Sequence, residues 1–138
     1  MSRSGYVDDL PDNDLALYRG RVANTIKGKR SQAFLKEAAT ALDAMDDKRL
    51  FAGELIASDG GCCTIGAVAQ LRGMTHSDVV ELDSEDPEQV GGLVGISKIM
   101  AAEIEFENDE GTFHNETPEQ RWKRMRKWIE RNIRKDVS

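Results

Sequence analysis

Cysteine is scarce in this 138-residue chain: there are two, Cys62 and Cys63, side by side. Adjacent cysteines do not make a disulfide framework, so the fold has to rest on an apolar core. Aromatic residues make up 6% of the sequence and histidine occurs twice, at His76 and His114. No aromatic stacking platform, helix-turn-helix or zinc finger accompanies the basic residues. No stretch approaches the roughly 18 to 20 apolar residues that cross a bilayer, so no membrane partner is expected. Residues 1–14 lack the apolar centre of a secretory signal, so a cytoplasmic protein is expected. The Asn115-Glu116-Thr117 sequon then carries no weight, because glycosylation requires a secretory route.

What remains is a chain that is 39% hydrophobic and 32% charged. That length and apolar content suit one globular domain with a useful core. Residues 1–13, polar and containing Pro11, read as a flexible lead-in, and residues 14–138 as the domain. The formal net charge of -6 is a sum of unlike parts. Residues 118–138 carry eight Lys/Arg against three acids, a net of +5, which leaves 11 bases against 22 acids, a net of -11, in residues 1–117. Such asymmetry allows docking of one half on the other, a charged partner, or both.

Apolar periodicity points to a mainly α, compact helical domain, with room for one small β-hairpin that would make it α+β. A first helix runs from Asp14 toward Gly28 through Leu15, Leu17, Tyr18, Val22 and Ile26, weakened by Gly20. Ser31 is placed to cap a second, in which Phe34, Leu35, Ala38, Leu42 and Met45 recur every three or four residues. Its alanines would let another helix approach closely. Residues 50–56 and 62–65 read as two short strands turned by Asp59-Gly60-Gly61, followed by a short helix from Thr64 to Leu71 that Gly73 stops. Thr75 and Asp78 predict another capped turn. Asp86-Pro87-Glu88-Gln89 predicts a sharp helix start, with Asp86 as cap and Gln89 returning a bond, and the apolar stripe then continues from Val90 to Ile104 despite Gly91, Gly92 and Gly95. Thr117-Pro118-Glu119-Gln120 repeats that pattern. The helix it opens has Trp122, Met125, Ile129 and Ile133 on one face beside Trp128, and Lys123, Arg124, Lys127, Arg131, Arg134 and Lys135 on a face expected to stay wet.

No reaction centre is legible. Cys63 ahead of a helix could be a nucleophile with His76 or His114 as base, but no motif brings them together, and small buried cysteines usually serve as apolar side chains. Cys62, Cys63, His76 and His114 lack the spacing of a zinc site, so no metal is expected. Lys27-Gly28-Lys29-Arg30 lacks the spacing of a phosphate loop. Between residues 78 and 110 there are 11 acids and one base, Lys98, yet no calcium-loop pattern and no marked carboxylate pair. Asp83, Glu85, Asp86 and Glu88, with Glu103, Glu107, Asp109 and Glu110, are the candidate docking surface for a basic partner. Lys127, Arg131 and Arg134 on the last helix form a second, open to an acidic partner, nucleic acid or a homodimer contact.

Several segments stand out together: Met1-Ser2-Arg3-Ser4-Gly5-Tyr6, Lys29-Arg30 before Gln32-Ala33-Phe34-Leu35, Leu42-Asp43-Ala44-Met45 with Lys48-Arg49-Leu50, Ala52-Gly53-Glu54-Leu55, Gly66-Ala67-Val68, and Asn108-Asp109-Glu110 followed by Thr117-Pro118-Glu119-Gln120-Arg121-Trp122. In these the chain resembles a group of small uncharacterised proteins carried by bacteriophages and prophages. The resemblance spans most of the chain and brings no catalytic residue or cofactor with it. It implies a phage accessory protein in the cytoplasm of a bacterial host, non-enzymatic, that binds a host protein or protein–nucleic-acid complex as a defence inhibitor. The alternatives are nucleic-acid binding through the basic helices and a small enzyme using Cys63 or a carboxylate pair.

Overall fold

In the computed structural model, residues 12–110 and 115–135 are described, and they form seven helices and no β-strand. These are α1 (Asp12–Lys27), α2 (Lys29–Ala44), α3 (Thr64–Leu71), α4 (His76–Val79), α5 (Pro87–Val94), α6 (Lys98–Glu110) and α7 (Pro118–Asn132). The domain is mainly α-helical, as the apolar spacing predicts. Helix α1 begins at Asp12, two residues inside the stretch read as a lead-in; residues 1–11 lie outside the described residues.

The short α3 is the most enclosed element, with Thr64 through Ala69 all buried. It packs against α2, α5 and α6, while α2 also meets α1 and α7. Leu35, Leu42, Leu50, Val68, Val90, Met100, Met125 and Ile129 are inaccessible to solvent in this core. Burying such side chains contributes about 1.5 to 3 kcal/mol each, which is what drives these amphipathic helices together. Helix α2 supplies Ala38 and Ala41 to the core, but Ala33 and Ala44 are exposed.

Local grammar decides the helix ends that have it. Thr117 Oγ1 accepts from the Gln120 N–H at 3.1 Å, and Gln120 Oε1 accepts from the Thr117 N–H at 2.9 Å, a complete capping box ahead of Pro118. Asp86 caps α5 through the Glu88 N–H, but Gln89 does not return the bond: its Oε1 accepts from the Asp83 N–H instead. The Asp78 carboxylate accepts from the Thr75 N–H at 2.7 Å in front of α4. Ser31 is not a cap. It is buried inside α2, whose N-cap is Gly28, with no side-chain acceptor.

Two expectations are corrected. The stripe from Val90 to Ile104 is not one helix: α5 stops at Gly95, where φ is 81°, and α6 begins at Lys98. Gly91 makes the turn possible, since a Cβ there would lie 2.6 Å from the Ile96 carbonyl oxygen. The hairpin reduces to a single antiparallel bridge between Ile56 and Cys62. Its turn at Ala57–Gly61 does form, closed by the Gly60 N–H on the Ala57 carbonyl and by the Ala57 N–H on the Gly61 carbonyl. Beyond it two more backbone bonds cross, from the Cys63 N–H to the Leu55 carbonyl at 3.2 Å and from the Phe51 N–H to the Cys62 carbonyl at 2.9 Å, but other groups find partners in the helices. The Leu50 N–H donates to the Pro118 carbonyl at 3.1 Å, and the Phe51 carbonyl accepts from Asn108 Nδ2 at 3.0 Å, so this stretch has no call for a neighbouring strand.

Candidate functional site

The candidate acidic residues divide into two groups with different surroundings. In the loop between α4 and α5, two carboxylates build the chain's own turns. Asp83 Oδ1 accepts from the Glu85 N–H at 2.9 Å, while Asp86 accepts from the Glu88 N–H at 3.0 Å and from Gln89 Nε2 at 3.1 Å. Glu85 and Glu88 are exposed, and so is Glu81, which composition counts without singling out. Among the described residues, no ion pair involves Glu81, Asp83, Glu85, Asp86 or Glu88.

The α6 acids are engaged by neighbouring helices. Glu103 is half-buried close to α1, where burial and then the Glu103 charge raise the Tyr18 hydroxyl above its ordinary pKa. Glu107 is also half-buried; burial raises its carboxyl, and the Arg124 and Arg131 charges act the other way. Asp109 accepts from Asn108 Nδ2 at 2.7 Å, which leaves Glu110 as the exposed member of this group.

Helix α7 supplies the opposing charge. Arg124, expected on the wet face, grips the Glu116 carboxylate with Nε at 2.7 Å and Nη2 at 3.0 Å, and its Nη1 donates to the Glu107 carbonyl at 2.7 Å. Arg121 Nε donates to the Asn108 carbonyl at 2.8 Å and lies 3.4 Å from Glu116. The Glu116 side chain is only 7% exposed, so these charge-assisted bonds work in low dielectric and hold α7 to the end of α6. Part of the charge asymmetry is therefore neutralised internally. Lys123, Lys127, Arg131, Arg134 and Lys135 remain exposed. Lys127, Arg131, Ile133, Lys135 and Glu130 line a shallow depression of about 630 Å³.

The tryptophans serve the interior. Trp128 is buried, and the half-buried Trp122 donates from Nε1 to the Leu42 carbonyl at 3.2 Å, with Lys48 Nζ 5.4 Å from its ring centre. Arg126 ties the same end of α2 to α7 through both oxygens of Asp43, at 2.9 and 3.0 Å, and that pairing holds the Asp43 carboxyl below its usual pKa.

Cys62 lies at the base of a cleft of about 300 Å³ that is also lined by Arg49, Phe51, Asp59 and Gln70, and Cys63 is not part of its lining. Both are buried, and burial pushes the Cys62 thiol up to about 12. Cys63 Sγ accepts from the Gly66 N–H at 3.4 Å as the cap of α3. His76 Nδ1 is 2.8 Å from the Ile56 carbonyl, and His114 lies outside the described residues. The folded chain is accordingly expected to react with a disulfide reagent at neutral pH only as fast as it opens, at least about tenfold slower than in denaturant. Equal rates in the two conditions would contradict this burial. Among the described residues, no three His, Cys, Asp or Glu side chains gather as metal ligands would. None of their helices is long and apolar enough to cross a membrane.

Two side-chain amides that sequence reading passes over organise these surfaces. Asn108 joins α6 to the 50–64 region, and Gln32 joins α2 to the end of α7. Their partners stand 44 and 57 residues away for Asn108 and 100 away for Gln32, so no local spacing announces them. Comparison with known protein families, curated proteins and solved structures finds no match to this chain.

Proposed function

We propose that this chain is a non-enzymatic accessory protein of bacteriophage type, which binds a host protein or protein–nucleic-acid complex in the bacterial cytoplasm and inhibits host defence. The observation that supports this reading is the acidic segment at residues 81–88, the loop before α5 and that helix's first two residues. Its carboxylates have no cationic neighbour in an ion pair among the described residues, although the same chain neutralises Glu116 and Asp43 with arginines. Asp83 and Asp86 brace the loop from within, so Glu81, Glu85 and Glu88 stand on a preformed turn. A preformed acidic surface steers a basic partner in and costs less ordering on contact.

The test replaces Glu81, Glu85 and Glu88 together by Gln and leaves Asp83 and Asp86 to hold the turn. Tagged parent chain should retain one stoichiometric host partner at moderate salt, and the triple variant should lose it while keeping its helical spectrum. A partner held equally well by both proteins would move the binding surface elsewhere, and recovery of none would remove the reading.

A further inference from the structure

Gln32 brings together two basic segments that are far apart in the chain. Its Nε2 donates to the Ile26 carbonyl at the end of α1, at 2.8 Å, and to the Asn132 carbonyl at the end of α7, at 2.9 Å. Its Oε1 accepts from the Arg134 N–H at 2.7 Å. This buried amide therefore clamps the α1–α2 junction against the C-terminus of α7. Lys27, Lys29 and Arg30 flank the clamp on one side, and Arg131, Arg134 and Lys135 on the other; all six are exposed.

The described segments that carry these cations hold little opposing charge. Residues 15–36 contain no Asp or Glu, nor do residues 131–135. Glu130 is turned to Arg126 at 3.2 Å, and Glu107, whose carboxylate feels the Arg124 and Arg131 charges, is half-buried. The N-terminus of α2 opens in the middle of the junction with no acid in its first turn and no side chain capping it, so its dipole adds to the same positive field.

From this arrangement we infer that the junction of α1, α2 and α7 binds the phosphate backbone of nucleic acid without reading its sequence. Six cations around a neutral seam match the repeated charge of a phosphate chain. Among its described residues this surface has no exposed aromatic or large apolar anchor of the kind that dominates a protein contact, because Ile133 packs against the core. The inference goes beyond the acidic-loop reading and stands independently of it.

The experiment measures anisotropy of a fluorescent DNA duplex of arbitrary sequence as the full chain is added, at several salt concentrations. If each of the six cations meets a phosphate, affinity falls by about a thousandfold between 50 and 200 mM salt, a log–log slope of about -5. Replacing Lys27, Lys29 and Arg30 by Gln, or Arg131, Arg134 and Lys135 by Gln, should each lower the slope by about half. Gln32→Leu should weaken binding with all six charges kept; should it fail to fold, the two surface triples decide the matter. Absence of binding at low salt would overturn the inference, as would a response to only one triple, which reduces the site to a single segment. Polyglutamate displacing the duplex as effectively as unlabelled DNA would assign the surface to acidic proteins and overturn it too. The Glu81, Glu85 and Glu88 triple should bind DNA undiminished, so this inference and the acidic-loop reading can fail separately.

Discussion

A Gly66→Ala chain is expected to lose about 3 kcal/mol of stability or more, with a melting temperature lower by about 10 °C. Gly66 lies in the first turn of α3, directly beneath the 50–56 loop. An ideal Cβ there would sit 1.7 Å from the Leu55 carbonyl oxygen and 2.7 Å from its carbon, both backbone atoms that no rotamer change can move. To admit the methyl, the loop has to lift. Lifting breaks the bond from the Cys63 N–H to that same carbonyl, at 3.2 Å, and opens the buried Leu55, Ile56 and Cys62 to water. Gly92→Ala is the control: it is also a helical glycine, but nothing lies within 4 Å of its Cβ position, so the substitution should hold or raise the melting temperature. Thermal unfolding followed by circular dichroism compares the two. Equal melting of Gly66→Ala and parent would mean that α3 and the loop are not packed as described.

What was legible in the sequence tracks how local each cause is. The start of α7 follows from four consecutive residues, and Thr117 to Gln120 make the bonds their types predict. The span of α3, Thr64 to Leu71, is also as read, because Gly73 ends it with φ at 92°. The break at Gly95 was not legible. Three glycines look like mere weakness, whereas here Gly95 turns the chain and Gly91 gives the following carbonyl room. The hairpin failed for the opposite reason. Alternation and a turn were present, and the Phe51 N–H does reach the Cys62 carbonyl, yet the Leu50 N–H and the Phe51 carbonyl are claimed by Pro118 and Asn108, whose arrival depends on tertiary structure.

The same distinction governs the candidate surfaces. Counting finds the acids and bases correctly but cannot place them. Glu107 and Arg124, assigned to opposite wet faces, are 3.8 Å apart, and Glu116, unremarkable in the sequence, takes up Arg121 and Arg124. Neutralising charges inside the domain removes them from any docking surface, whereas Glu81, Glu85 and Glu88 around the start of α5 and the cations around Gln32 are among those that still face solvent. Charge asymmetry therefore serves cohesion first, and only the solvent-facing remainder is open to a partner.

Asn108→Ala is expected to cost about 3 kcal/mol, although the residue is neither apolar nor charged. Its side chain is essentially inaccessible, at 1% exposure, and every polar atom on it is used. Oδ1 accepts from the Thr64 N–H at 3.0 Å and from Thr64 Oγ1 at 2.7 Å; Nδ2 donates to the Phe51 carbonyl and to Asp109. The Thr64 N–H belongs to the first turn of α3, where helix geometry supplies no partner, so Asn108 acts as an additional cap delivered from 44 residues away. Truncation leaves that N–H, the hydroxyl and a carbonyl buried together, and each unmatched group costs about 1 to 3 kcal/mol. Thr64→Val removes the hydroxyl alone and should cost less. Because both changes act on one network, the double variant should be more stable than the sum of the two losses allows, by about 1 kcal/mol in a denaturant-melt cycle. Strict additivity would mean that the Thr64 hydroxyl and Asn108 do not share this bond.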